Sequence, residues 1–314
     1  MQISENLTAP IKKSNLIIIA GPTAVGKTEI CVKLAKLLDT EIISSDSRQF
    51  YRELSIGTAK PTPQEMDGVV HHFVDSHSIT EYYSVGDFER DAIQLLEKNI
   101  FRRKQNVILT GGSGLFIKAI IDGLDQMPEA PLALRQKLMQ DLDSQGIGFL
   151  VEQLHELDPD YCRTADLQNS QRVVRALEVC LSTGKPFSSF HKKANIERNF
   201  NIIKIGIERQ REELYERINL RMDLMLKNGL LEEGQNLLAF RHHNALQTVG
   251  YKEVFEYLDG NYDHKMMVAL LKRNSRRYAK RQMTWFKNQD DFAWFYGTDF
   301  EGIKEYILSK LNEI

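Results

Sequence analysis

Residues 16–28 constrain the chain more than any other stretch. An apolar run, Leu16–Ala20, leads directly into Gly21, Pro22, Thr23, Ala24, Val25, Gly26, Lys27 and Thr28. The run reads as a buried strand of a parallel sheet, bounded by Gly-Pro. The eight residues after it fit the phosphate-binding pattern G-x-x-x-x-G-K-S/T, with a helix expected from Gly26 to about Leu38. The glycines let backbone amides wrap a phosphate chain, and the helix N-terminus adds a favourable dipole. Lys27 supplies charge, and the Thr28 hydroxyl suits Mg²⁺. Such a loop reports a bound polyphosphate without naming a reaction.

Three further strands are expected at Glu41–Ser45, Asn106–Thr110 and Ile202–Ile207. Strands alternating with helices indicate an α/β parallel sheet. Between about 122 and 198 the strand signals vanish, and helical patterns cover Leu132–Leu142, Gly148–Leu157 and Gln171–Leu181. From Arg211 the chain is again mostly helical, over Arg211–Lys227, Leu230–Phe240, Tyr251–Leu258 and His264–Phe286. The expected architecture is α/β: a P-loop-type parallel sheet core, an all-helical insertion domain and a helical C-terminal part, divided at 1–121, 122–199 and 200–314.

Composition excludes several classes. Hydrophobic residues are 42% and charged residues 27% of the 314, which suits a globular chain and neither a disordered nor a collagen-like one. The apolar run at Leu16–Ala20 is far short of the roughly 20 residues a bilayer needs, so no membrane partner is expected. Residues 1–14 lack the apolar stretch of a signal peptide. Cys31, Cys162 and Cys180 stand far apart, against a zinc, iron–sulfur or disulfide framework. A reduced, cytoplasmic monomer is the expectation.

Net charge is −2, from 41 Lys+Arg and 43 Asp+Glu, yet the charge is unevenly placed. From His264 to Gln289 there are eight basic residues (Lys265, Lys272, Arg273, Arg276, Arg277, Lys280, Arg281 and Lys287) and no acid. On a helix, Arg273, Arg277, Lys280 and Thr284 share a face, with Arg276 and Arg281 beside it. A solvated face is the ordinary meaning of one basic helix, but an acid-free run of eight points to a polyanion. Trp285 and Phe286 either stack on that partner or anchor the helix. Gln171, Arg172 and Arg175 offer a second contact site.

The usual companions of a hydrolytic phosphate loop are missing. Val107–Thr110 runs into Gly111-Gly112-Ser113-Gly114 with no Mg²⁺-holding carboxylate, and no base-reading motif of a GTPase appears. The loop therefore suits a diphosphate held for another purpose. Asp46 falls at the carboxyl end of the second strand, where open α/β sheets bind ligands, and is either a proton acceptor or a turn aspartate. Gly111–Gly114 offers amide donors and a hydroxyl, or a plain turn. Arg217 and Arg221, four apart on one helix, form either a solvated pair or a second cationic clamp. His71-His72 and His242-His243 lack metal-site spacing.

Taken together, these motifs resemble one family, the bacterial tRNA dimethylallyltransferases or isopentenyl-tRNA transferases. The matching segments are GPTAVGKT (21–28), SSDSRQFYRELSIGTAKPTPQE (44–65), HHFVD (71–75), YSVGDFERDA (83–92) and GGSGLF (111–116). NSQRVVRALEV (169–179), TGKP (183–186), RINLRMDLM (217–225), TVGYKE (248–253) and AKRQMTWFK (279–287) follow in order. The resemblance implies transfer of a dimethylallyl group from dimethylallyl diphosphate, with Mg²⁺, to the exocyclic amine of the adenosine 3′ of the anticodon, in tRNAs reading codons that begin with U.

Carried over by position, Asp46 resembles the general base, while Lys27, Thr28, Ser113 and Arg221 match diphosphate contacts. Stretches matching tRNA contacts are Asp46, Ser47, Arg48 and Gln49; Arg135; and Gln171, Arg172, Val173, Val174 and Arg175. Two more are Gln247, Thr248, Val249, Gly250, Tyr251 and Lys252, and Lys280, Arg281, Gln282, Met283, Thr284, Trp285, Phe286 and Lys287. Three positions depart from the family pattern. Val25 replaces a Ser or Ala, Ser113 replaces a Thr and keeps the hydroxyl, and Arg48 stands where an apolar residue is commoner. Rival readings are a transferase acting on free adenylate, a P-loop small-molecule kinase and a non-catalytic RNA-binding module.

Overall fold

The computed structural model describes residues 13–125, 127–191, 196–289 and 291–314. Residues 1–12, most of the segment read as lacking a signal-type stretch, lie outside the described residues. Six strands, β1 (Asn15–Ala20), β2 (Ile42–Ser44), β3 (His71–His72), β4 (Asn106–Gly111), β5 (Asn201–Glu208) and β6 (Ala293–Tyr296), form one sheet in the order β3-β2-β4-β1-β5-β6. Every neighbouring pair is parallel. β1 is buried along its whole length, because parallel strands carry helices on both faces. Leu16, Ile18 and Ala20 join one core with Phe88, Leu109 and Phe286, while Ile17 and Ile19 join the other with Ile30, Leu34 and Ile205.

The helices are α1 (Lys27–Leu37), α2 (Pro63–Met66), α3 (Val85–Lys98), α4 (Gly114–Asp122), α5 (Leu132–Leu157) and α6 (Pro159–Thr164). The remainder are α7 (Ser170–Thr183), α8 (Arg211–Lys227), α9 (Leu230–Leu237), α10 (Tyr251–Leu258), α11 (His264–Lys287) and α12 (Phe300–Glu313). The two helices expected at 132–142 and 148–157 are both present as the two halves of α5, separated at Gly146, whose φ of 79° interrupts the helical backbone. β3, β6, α3 and α12 were not read from the sequence. α3 carried a usable signal, since Ser84 and Asp87 form a reciprocal capping box at its start.

The chain divides into two compact units, Asp122–Ile196 and the remainder. Among its described residues the inserted unit has helices and no strand, and it has its own core, built on Leu138, Leu150, Leu154, Val173, Val174 and Leu177. The three cysteines are buried and unbridged. Among the described residues no helix is long and apolar enough to cross a membrane.

Candidate active site

Because all six strands run the same way, the carboxyl ends of β1, β2, β4 and β5 open on one edge of the sheet. There they present the loop 21–26, Asp46, the 111–114 turn and Arg209. In such sheets ligands bind at this edge, where crossovers diverge to opposite sides. Here the divergence lies at β1, between β4 and β5.

The loop bends into α1 through Gly26, whose φ of 107° lies in the left-handed region that favours glycine. Lys27 folds its ammonium back onto the loop, donating to the carbonyls of Gly21 and Pro22, both at 2.8 Å. Burial lowers its pKa from 10.5 to about 8, with Asp46 opposing that shift and Arg221 adding to it. Three arginines then take three consecutive loop residues. Arg221 donates to the Thr23 hydroxyl at 3.0 Å, Arg217 to the Ala24 carbonyl at 2.8 Å, and Arg209 to the Val25 carbonyl at 2.8 Å. Both members of the i, i+4 pair on α8 thus bond the phosphate loop, with Arg217 exposed. Arg221 is half-buried, and its desolvation pulls its pKa down while Asp46 pushes it up.

A cavity of about 1020 Å³ opens beside these groups. Its lining includes Lys27, Thr28, Asp46, Arg217 and Arg221 together with the apolar Ile56, Met222, Met225 and Leu230. Asp46 accepts the Arg48 backbone N–H at 3.0 Å, which fixes the carboxylate at the strand end. The Ser55–Gly57 stretch that lines the cavity is held by Glu233. That carboxylate accepts the N–H groups of Ser55, Ile56 and Gly57 at 2.8–3.0 Å and the Tyr251 hydroxyl at 2.6 Å.

Ser113 lies beside the phosphate-loop cavity. It lines a neighbouring recess of about 280 Å³ with Ser47, Phe116, Arg281 and Trp285, not the cavity that holds the phosphate loop. Its hydroxyl accepts the Ser47 N–H and donates to the Ser47 hydroxyl, each at 3.2 Å. Gly112, Tyr278 and Gln282 line both spaces, so the two meet there. Burial pushes the Tyr278 phenol up to about 12.

The residues matched to tRNA contacts fall into three kinds of place. Gln171, Arg172, Gln247, Lys252, Lys280, Arg281, Thr284 and Lys287 are exposed. Ser47, Gln49, Thr248, Val249, Met283 and Trp285 are half-buried, and Gln49 donates weakly to the Thr58 and Ala59 carbonyls. Val173, Val174, Tyr251 and Phe286 have their side chains in the cores and shape the surface instead of presenting a group to it. Phe286 therefore anchors α11. Gly250 is buried with φ 104°. In the inserted unit, Arg135 and Arg175 both pair with the buried Glu178, at 2.9 and 3.2 Å, and Arg135 also donates to Gln171. Arg48 donates to the Asn244 carbonyl at 2.9 Å, ahead of the 247–252 stretch. Val25 is buried and uses only its carbonyl, so its departure from the family pattern leaves the loop's outer contacts alone.

Arg209, Glu233 and Tyr278 belong to the site and were not singled out from the sequence. Arg209 follows β5 as Lys27 follows β1, and that strand-end position was the available signal. His71 and His72 are structural, bonded to the Val69 carbonyl and to Glu41. Among the described residues no cluster of three His, Cys, Asp or Glu could hold a metal.

The profile of the family described as IPP transferase matches residues 49–289, starting just after Asp46. A protein of Christiangramia forsetii named tRNA dimethylallyltransferase is 49% identical over 95% of this chain and 98% of its own. One of Cytophaga hutchinsonii with the same name is 48% identical over the same shares. Among solved structures, the full-length tRNA isopentenylpyrophosphate transferase of Bacillus halodurans is 40% identical. It superposes with a TM-score of 0.71 over 96% of this chain and 98% of that one. A eukaryotic dimethylallyltransferase described as acting on tRNA, 28% identical, gives 0.76 over 92% of this chain and 75% of that one.

Proposed function

The chain belongs to the IPP transferase family, and on that premise we propose the following reaction for the site. It is a tRNA dimethylallyltransferase, moving a dimethylallyl group from dimethylallyl diphosphate to the exocyclic amine of an adenosine beside the tRNA anticodon. The observation that carries the mechanism is the joining of Lys27, Arg217 and Arg221 to the phosphate loop, with the Asp46 carboxylate in the same cavity.

The bond that breaks joins the allylic carbon to the diphosphate oxygen, and its electron pair leaves with the diphosphate. Cations aimed at the departing oxygens stabilise that charge more in the transition state than in the ground state. The adenosine nitrogen forms the new bond to the allylic carbon, and its surplus proton passes to Asp46. No water need be activated, which accounts for a phosphate loop without a second, hydrolytic carboxylate. Ser113 supports this edge through Ser47, the neighbour of Asp46.

The protein's donor set fits Mg²⁺ arriving with the diphosphate, because Thr28 lends one hydroxyl and the phosphates supply the anionic oxygens. When bound, the ion adds charge stabilisation on the leaving group. A stacked base cannot reach Asp46, so the adenosine is extruded from its loop. The exposed cations of α11 and the inserted unit's Arg172 serve the tRNA backbone. tRNAs reading codons that begin with U are the acceptors carried over from the family. A monomer working where tRNA is, in the cytoplasm, completes this reading.

Asp46→Ala tests the assignment of the base. Single-turnover transfer at saturating tRNA is expected to fall by about 10²–10⁴-fold, the usual worth of a general base, with tRNA affinity kept. Near-normal transfer by this variant removes Asp46 from the mechanism.

A further inference from the structure

Gln282 sits on the inward face of α11, 7% exposed, although its neighbours Lys280 and Arg281 face solvent. Its carbonyl oxygen accepts the Thr23 N–H at 2.9 Å, and its amide nitrogen donates to the Gly112 carbonyl at 2.9 Å. Only this orientation of the amide satisfies both partners. Thr23 belongs to the phosphate loop after β1, and Gly112 to the turn after β4, the strand paired with β1. A side chain at position 112 would collide with the bridge, since an added Cβ would lie 2.3 Å from the Gln282 amide nitrogen. The bridge stands where the cavity and the recess adjoin, because Gln282 lines both. Both ends of its amide are engaged inside the protein.

We propose that Gln282 is a positioning residue for group transfer: by bridging Thr23 and Gly112 it fixes the phosphate loop against the β4 turn and sets the separation of donor and acceptor. This rests on the transfer reaction proposed above. It assigns Gln282 a different role from its neighbours on α11, which face the polyanion.

The test uses Gln282→Ala, which removes both bonds, and Gln282→Glu. The glutamate keeps an acceptor for Thr23 but sets a second oxygen against the Gly112 carbonyl. Three quantities are measured on the full chain: single-turnover transfer at saturating tRNA, affinity for inorganic diphosphate with Mg²⁺, and affinity for tRNA. Loss of two buried hydrogen bonds is expected to slow transfer roughly 10–100-fold and to weaken diphosphate at least about threefold. tRNA affinity stays within about twofold in both variants. Weaker tRNA binding with an unchanged saturated rate and diphosphate affinity overturns the proposal and makes Gln282 an RNA contact. A lower folded fraction with wild-type rate per folded molecule overturns it in favour of simple packing. If Gln282→Ala does not fold, Gln282→Glu carries the comparison. Absence of transfer by the wild type defeats the proposed reaction instead, and the diphosphate affinities still decide whether Gln282 sets the loop.

Discussion

Lys27 is held in a cage of its own loop's carbonyls, and that confinement sets a pH dependence. Its pKa is lowered to about 8, so the free enzyme loses this cation as pH rises through that value. The expected result is a donor kcat/KM that falls about tenfold per pH unit above roughly 8, while Lys27→Met binds the donor weakly at every pH. A wild-type profile flat to pH 9 contradicts the account. Stability moves the other way. Between about 8 and 10.5 the unfolded chain holds the lysine proton that the folded protein has lost, so raising pH through that window favours the folded state. At this scale the i, i+4 spacing of Arg217 and Arg221 left open a solvated pair or a cationic clamp, while Lys27 and Thr28 were legible because the phosphate loop is a local pattern. Arg209, Glu233 and Tyr278 were not, because each acts on a partner far along the chain and belongs to no local motif. Ser113 had a legible hydroxyl, but its partner, Ser47, lies 66 residues away.

α11 shows how an element divides its work between faces. Met267, Leu271, Ala279 and Phe286 enter the cores, and Gln282 turns inward with them. Of the eight basic residues, Lys272 pairs with Asp223, Arg276 donates to Asn219, and Lys287 pairs with Glu208. Lys265, Arg273, Arg277, Lys280 and Arg281 remain outward. A helical wheel could separate the faces, but not say which flanking cations the rest of the fold would claim. Arg277→Ala with Lys280→Ala is expected to weaken tRNA binding and to flatten the salt dependence of log K by roughly 1.5, two phosphate contacts' worth. An unchanged slope would make this face merely solvated. Apart from α3, whose capping box went unread, the strands and terminal helix missed in the sequence were short or at the margins. β3 has two residues and β6 four, too few to show the alternation of a half-buried strand.

At the scale of the molecule, the parallel sheet brings four strand ends to one edge, and the helical unit of residues 122–196 interrupts the chain between β4 and β5. The apolar strand runs and the disappearance of strand signals after 122 made this division readable. The strand order was not readable, since it depends on which helices pack on which face. The central claim is that the phosphate loop holds a diphosphate as a leaving group and that the acceptor is tRNA. Purified protein, Mg²⁺ and labelled dimethylallyl diphosphate offered unmodified tRNA and free AMP side by side test it most directly. Label is predicted in tRNA alone, with diphosphate released in equal amount. Label in AMP, or no transfer with ATP consumed instead, would contradict it.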